Sequence, residues 1–281
     1  MRWRGRAGSG NIEDRRGMRM ALPVGGGIGG LVLLLLISAL TGQNPVDLMN
    51  AGESGDSVGT SGVRGDDPEA QFVSVVLRDT EETWLQIFSE RGASYPAPVL
   101  VLFTQATQSA CGVGQAAMGP FYCPIDRKVY LDLSFFEELA TRFGAPGDFG
   151  AAYVVAHEVG HHVQTVTGVS ERVQAARQQA SSEGEANQLS VLQELQADCY
   201  AGVWGYYAAQ RGLLEPGDAE EGLQAAAAIG DDRLQRQSQE RVVPESFTHG
   251  SSEQRVSWLR RGMTNGQMEA CDTFGQGAGR R

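Results

Sequence analysis

The sequence predicts an α+β domain, mostly helical with a small sheet, preceded by one N-terminal transmembrane helix. Three observations predict it. Apolar residues recur at helical spacing over most of the chain beyond residue 70. Two short runs, PVLVLF at 98–103 and KVYLDL at 128–133, have the composition of strands. Residues 21–40 contain no charged side chain.

Charge divides the chain unevenly. The net charge of the 281 residues is −11. Residues 1–20 hold six arginines against Glu13 and Asp14, a local balance of +4 that leaves −15 on the remainder. Such an acidic body repels phosphate backbones, which leaves the short basic head as the only polyanion-binding candidate; membrane lipid is its expected anion, and no nucleic-acid partner is expected. Residues 21–42 are the predicted anchor, with Ile28–Leu40 almost wholly apolar. Twenty helical residues rise about 30 Å, the thickness of a bilayer core. A secretory signal peptide is the alternative, but the residues after the run, Ser38 to Gly42, form no clear A-x-A cleavage site. The positive-inside rule then makes 1–20 a basic cytoplasmic head of a single-pass cell-membrane protein. The lipid bilayer is a partner, and the acidic body is exported.

The elements come in order along the chain. Residues 43–69, rich in Gly, Ser and Asp, form a flexible tether. The folded domain spans 70–275. Phe72, Val73, Val76, Trp84, Ile87 and Phe88 mark one buried face of a helix that ends near Gly92. The two strands come next, the second leading into a helix capped by Ser134. Asp148 caps the next helix, which runs through Tyr153–Thr165 and stops at Gly168. Further helices are expected over 185–210 and 218–239. Ser251 and Gln254 have capping-box spacing before a last helix with Val256, Trp258 and Leu259. Residues 276–281 are a disordered tail.

Four cysteines in an exported domain allow two disulfides in three pairings. Cys111 and Cys123 flank a Gly/Pro-rich stretch, so a local bridge is preferred, and Cys199–Cys271 then ties the end of the chain to a central helix. A four-cysteine zinc site would need a C-x-x-C pair, which is absent from the sequence.

Three of the four histidines sit in His157-Glu-Val-Gly-His161-His162. His157 and His161 are four apart, so on a helix their imidazoles stand one turn above each other and can ligate one metal ion. Glu158 lies beside them, within reach of a metal-activated water. The flanking residues are apolar, and two histidines and a glutamate on a buried helix need partners; a metal supplies one to all three. His162 points to another face. The predicted third ligand is Glu194, with Asp198 one turn further along, accepting a hydrogen bond from the free ring nitrogen of a ligand histidine.

HEVGH followed on a later helix by Glu194-Leu-Gln-Ala-Asp198 resembles the gluzincin arrangement of zinc peptidases. The gap from His161 to Glu194, 33 residues, is longer than in the thermolysin type, and no Asn precedes the Glu. The chain as a whole is similar to the bacterial neutral zinc metallopeptidase family. The similarity covers MRWRGR…NIEDRRG, the anchor, ACGVGQAAMGPFYCPIDRKVYLDLSFFEEL, GDFGAAYVVAHEVGHHVQ, LQELQADCYAGVW and SFTHGSSEQRVSWLRRG…CDTF. It implies a zincin-like domain, one Zn²⁺ and a peptide or protein substrate. On that basis Glu158 is the expected general base. His249, the only histidine outside the motif, is the candidate oxyanion donor; a surface-loop histidine is the alternative. The strand ending near Leu133 is expected to offer its edge to an extended peptide. The competing function is a structural zinc-containing envelope module without catalysis.

Overall fold

A five-stranded sheet and a set of long helices share one core in the computed structural model, which describes residues 1–17, 60–61, 67–239 and 241–275. In chain order the first elements are β1 (Ile12–Asp14), β2 (Thr60–Ser61), α1 (Pro68–Glu90), β3 (Val99–Phe103), β4 (Ala106–Ser109), β5 (Gly112–Gln115), β6 (Phe121–Cys123) and β7 (Lys128–Asp132). Helices α2 (Ser134–Thr141), α3 (Asp148–Val166), α4 (Val169–Gln178), α5 (Glu183–Gln210), α6 (Asp218–Ala228), α7 (Asp231–Gln239) and α8 (Ser252–Asn265) complete the chain. The main sheet has the order β2-β1-β3-β7-β6; β4 and β5 form a separate hairpin. The mostly helical α+β class is as predicted.

Helix α3 is the centre of the fold because its sequence leaves it no solvated face. Every residue from Phe149 to Gly160 is buried. It packs against α1, α5 and α6, and α5 packs in turn against α8. The crossing of α5 and α8 is close enough that a Cβ on Gly262 would lie 2.0 Å from the carbonyl oxygen of Cys199. Trp84, Phe149, Tyr153 and Trp204 are among the largest fully buried side chains. Both disulfides form as expected: Cys111–Cys123 staples the stretch carrying β5 and β6, and Cys199–Cys271 ties the chain's end to α5.

Several expectations need correction. Residues 1–17 are no detached head. Ile12–Asp14 pairs in parallel with β3, and Met1, Trp3 and Ile12 are buried. The head's arginines have protein partners: Arg16 pairs with Asp14 and Asp67, and Arg15 with Glu13. Such pairing of charge was invisible to a count of residues, and it moves the start of the folded unit from Ala70 to the first residues of the chain. The strand ending near Leu133, now β7, has no free edge, because β3 and β6 pair with it on either side. Strand β6 is the edge on that side of the sheet, and β2 the edge on the other. Ser134 is the first helical residue rather than a cap; Asp132 accepts hydrogen bonds from its backbone N–H and its hydroxyl. Asp148 likewise opens α3, with Gly147 as N-cap and its carboxylate 2.8 Å from the Met1 amine. The predicted helix over 218–239 breaks at Gly230 into α6 and α7. The capping box of Ser251 and Gln254 is present.

The predicted anchor at 21–42 and the tail at 276–281 lie outside the described residues, as does most of the tether at 43–69. Among the described residues no helix is long and apolar enough to cross a membrane.

Candidate metal centre

The site is assembled where α3 crosses α5. Gly160, inside the HEVGH run, permits the approach: a Cβ there would stand 2.9 Å from the carbonyl oxygen of Ala197. That contact is with backbone and has no flexible way to give. At this crossing the Glu194 carboxylate reaches both imidazoles, 3.1 Å from His157 Nε2 and 3.4 Å from His161 Nε2. The two rings stand at 90° with centroids 4.8 Å apart. One ligand atom from each of His157, His161 and Glu194 lies within 4.8 Å of the others.

The far nitrogen of each ring is held. His157 Nδ1 donates to Asp198 Oδ1 at 2.8 Å, and His161 Nδ1 donates to Gln164 Oε1 at 2.9 Å. Gln164 is itself fixed, donating to the carbonyl of Gln193 and to Gln196 Oε1. With each Nδ1 proton so engaged, Nε2 is the ring atom left facing the carboxylate, where either a second ring proton or a metal cation can bridge the two.

Charge points the same way. Glu158, Glu194 and Asp198 bring three carboxylates to the site, opposed by one buried guanidinium, Arg255. Burial works against a charged His157, yet Asp198 and Glu194 outweigh it and hold its pKa at about 10. Burial also opposes the charge on Glu194, but the two imidazoles keep it well below the usual carboxylate range. A divalent cation would replace those ring protons and balance the excess. The spacing fits as well: ligand atoms about 2.0–2.1 Å from a tetrahedral zinc stand about 3.4 Å apart.

Glu158 is buried beside the pair, and burial is the first cause of its raised pKa. It lines a cleft of about 1310 Å³ together with His157, His161, Glu194 and His249. His249 sits on a loop shaped by Asp231. Asp231 Oδ2 accepts the backbone N–H groups of Thr248, His249 and Gly250, and Oδ1 faces His249 Nδ1 at 3.1 Å. That contact raises the His249 pKa. His162 is fully buried on the other face of α3. Its Nε2 donates to the Pro96 carbonyl at 2.6 Å, and its Nδ1 accepts from the Tyr122 hydroxyl on β6 at 3.0 Å. Burial pushes its pKa down to about 4. The cysteines are all paired in disulfides and supply no ligand to this cluster.

The profile of the family described as "Putative neutral zinc metallopeptidase" matches residues 1–274. The chain belongs to that family. Among its relatives in the family, the uncharacterized protein YpfJ of Escherichia coli K12 is 49% identical over 286 residues, covering 98% of this chain and 99% of that protein. The uncharacterized protein Rv2575 of Mycobacterium tuberculosis H37Rv is 46% identical over 191 residues, covering 64% of this chain and 63% of that one. No solved structure matches the chain.

Four side chains of the site are absent from the sequence-based expectations. Tyr153 and Gln164 share α3 with the motif, four residues before His157 and three after His161, so helical spacing alone could have found them. Arg255 and Asp231 could not be found that way. They come from α8 and α7, and nothing local in the sequence couples them to α3 or α5.

Proposed function

We propose that this metallopeptidase-family protein is an active zinc-dependent peptidase, with His157, His161 and Glu194 as ligands and Glu158 as general base. One observation carries the reading: two imidazoles and a carboxylate converge with both outer ring nitrogens already satisfied, beside a buried glutamate that lines the same cleft. Zinc, when bound, supplies Lewis acidity and makes a water molecule acidic enough to be deprotonated near neutral pH. Glu158, buried beside the ligand pair and lining the same cleft, would take a proton from the attacking water and pass it to the leaving amine. Asp198 and Gln164 hold the ligand rings in the metal-binding tautomer. His249, whose pKa the Asp231 contact raises, would donate to the developing oxyanion.

An extended peptide would lie along β6, the sheet edge that borders the cleft through Phe121 and Tyr122. Residues 21–42 attach the protein to lipid, a reading that rests on their composition.

Glu158→Gln tests the chemistry. The variant should retain one zinc per chain and lose peptide hydrolysis by several orders of magnitude. Full hydrolysis in Glu158→Gln would remove the mechanism. Stoichiometric zinc without hydrolysis of any library peptide by the wild type would favour the structural module.

A further inference from the structure

A chain that crosses a bilayer once has its two flanking segments on opposite sides. The described segments on either side of the uncharged run at 21–40 are not separable in this fold. Residues 1–17 touch the body through backbone as well as side chains. Arg2 N donates to Leu213 O at 2.8 Å, Ser9 N to Ser74 O at 2.9 Å and Arg15 N to Leu102 O at 2.8 Å. Strand β1 holds register with β3 over Ile12–Leu100, Glu13–Val101 and Asp14–Leu102. Trp3 meets Phe72 edge-on at 5.5 Å, Lys128 Nζ reaches Glu13 at 2.7 Å, and the Ser9 hydroxyl donates to Glu81 at 2.6 Å. These contacts involve α1, β3, β7 and the turn that follows α5, all of them part of the unit that carries the metal centre.

A hydrocarbon layer about 30 Å thick cannot lie between partners at such distances. Arg2, Arg4, Arg6, Arg15 and Arg16, which would help orient the run by the positive-inside rule, are therefore on the same side as the disulfides. Two disulfides with no free cysteine place that side in an oxidising compartment. The intervening residues, 41–59, contain Asp47, Glu53 and Asp56 and offer no second uncharged run for a return crossing.

We propose that Met1–Gly17 folds with the metal-site domain in the exported compartment, so that the described N-terminal segment and the metal site lie on the same side of any membrane the protein meets. The proposal is independent of whether the centre is catalytic.

Cysteines introduced singly at two exposed positions, Ala7→Cys and Ser257→Cys, test it in the full-length protein, in spheroplasts treated with a membrane-impermeant maleimide. The native cysteines are paired and silent. Equal labelling of both positions before lysis is the expected result. Labelling of Ser257→Cys with Ala7→Cys protected until lysis would overturn the proposal. So would protection of both, or a mature chain that lacks residues 1–17. A second measurement uses purified full-length protein. Ile12→Ala should lower the Tm of the metal-site domain by about 5 °C or more, while exposed Ala7→Ser leaves it unchanged. An unchanged Tm in Ile12→Ala would mean that β1 is not part of the domain, and would also overturn the proposal.

Discussion

Arg255 and Asp198 form a buried two-point ion pair, with Nε 2.9 Å from Oδ2 and Nη2 2.9 Å from Oδ1. The same Oδ1 accepts the Nδ1 proton of His157 and the hydroxyl of Tyr153. The guanidinium keeps Asp198 ionised, with its pKa down at about 2 against the opposing effect of burial. An ionised Asp198 is the form that can accept all three donors.

Removing Arg255 leaves that carboxylate buried without its countercharge. Arg255→Gln should destabilise the protein by about 3–5 kcal/mol, read from urea unfolding. Asp198→Asn should instead weaken zinc binding by about 10–100-fold, measured by competition with a chromogenic chelator. Unchanged zinc affinity in Asp198→Asn would separate this residue from the metal centre.

Gln164 holds His161 as Asp198 holds His157, but through a neutral acceptor. Gln164→Leu is close in volume and removes the acceptor, so zinc affinity should fall by about tenfold or more. A Gln164→Leu protein that binds zinc as tightly as the wild type would show that the His161 ring does not depend on this acceptor.

Gly160 sets the distance between α3 and α5. Gly160→Ala places a methyl against the Ala197 backbone, and the helices must part to admit it. The expected cost is about 1–3 kcal/mol of stability. Because Glu194 lies one turn from Ala197, zinc affinity should fall with it. A crystal structure of the variant with the helix separation unchanged would contradict this account.

The Asp231–His249 pair carries a signed pH dependence. Its contact with Asp231 raises the His249 pKa above 6.5, while the imidazole helps hold the Asp231 carboxyl below 3.8 despite burial. On the histidine side, the stabilisation is fully present below pH 6.5 and fades as pH rises through the raised value. On the aspartate side, it is present above 3.8 and is lost as pH falls through the lowered value. Asp231→Asn should bring the His249 pKa down toward its ordinary range in an NMR titration. If His249 is the oxyanion donor, the alkaline limb of the hydrolysis profile should move down with it.

The helical chemistry of this protein was legible in its sequence because it is local. Spacing by four residues places His157 and His161 on one face whatever the rest of the chain does, and the same rule pairs Glu194 with Asp198. Apolar flanks on both segments predicted that these helices would be buried, and burial of so many polar groups predicted a common partner. The capping box at Ser251 and both cysteine pairings were legible for the same reason of proximity or small number.

Only the tertiary structure decided what depends on contacts between distant segments. Strand β1 is three residues long and two of them are acidic, so no periodicity announces it; its place beside β3 comes from register and from ion pairs made with residues far along the chain. Arg255 stands 57 residues from Asp198, and Asp231 18 from His249. The edge of the sheet passed from β7 to β6 because strand order is a property of pairing, which hydrophobic alternation within one strand does not encode.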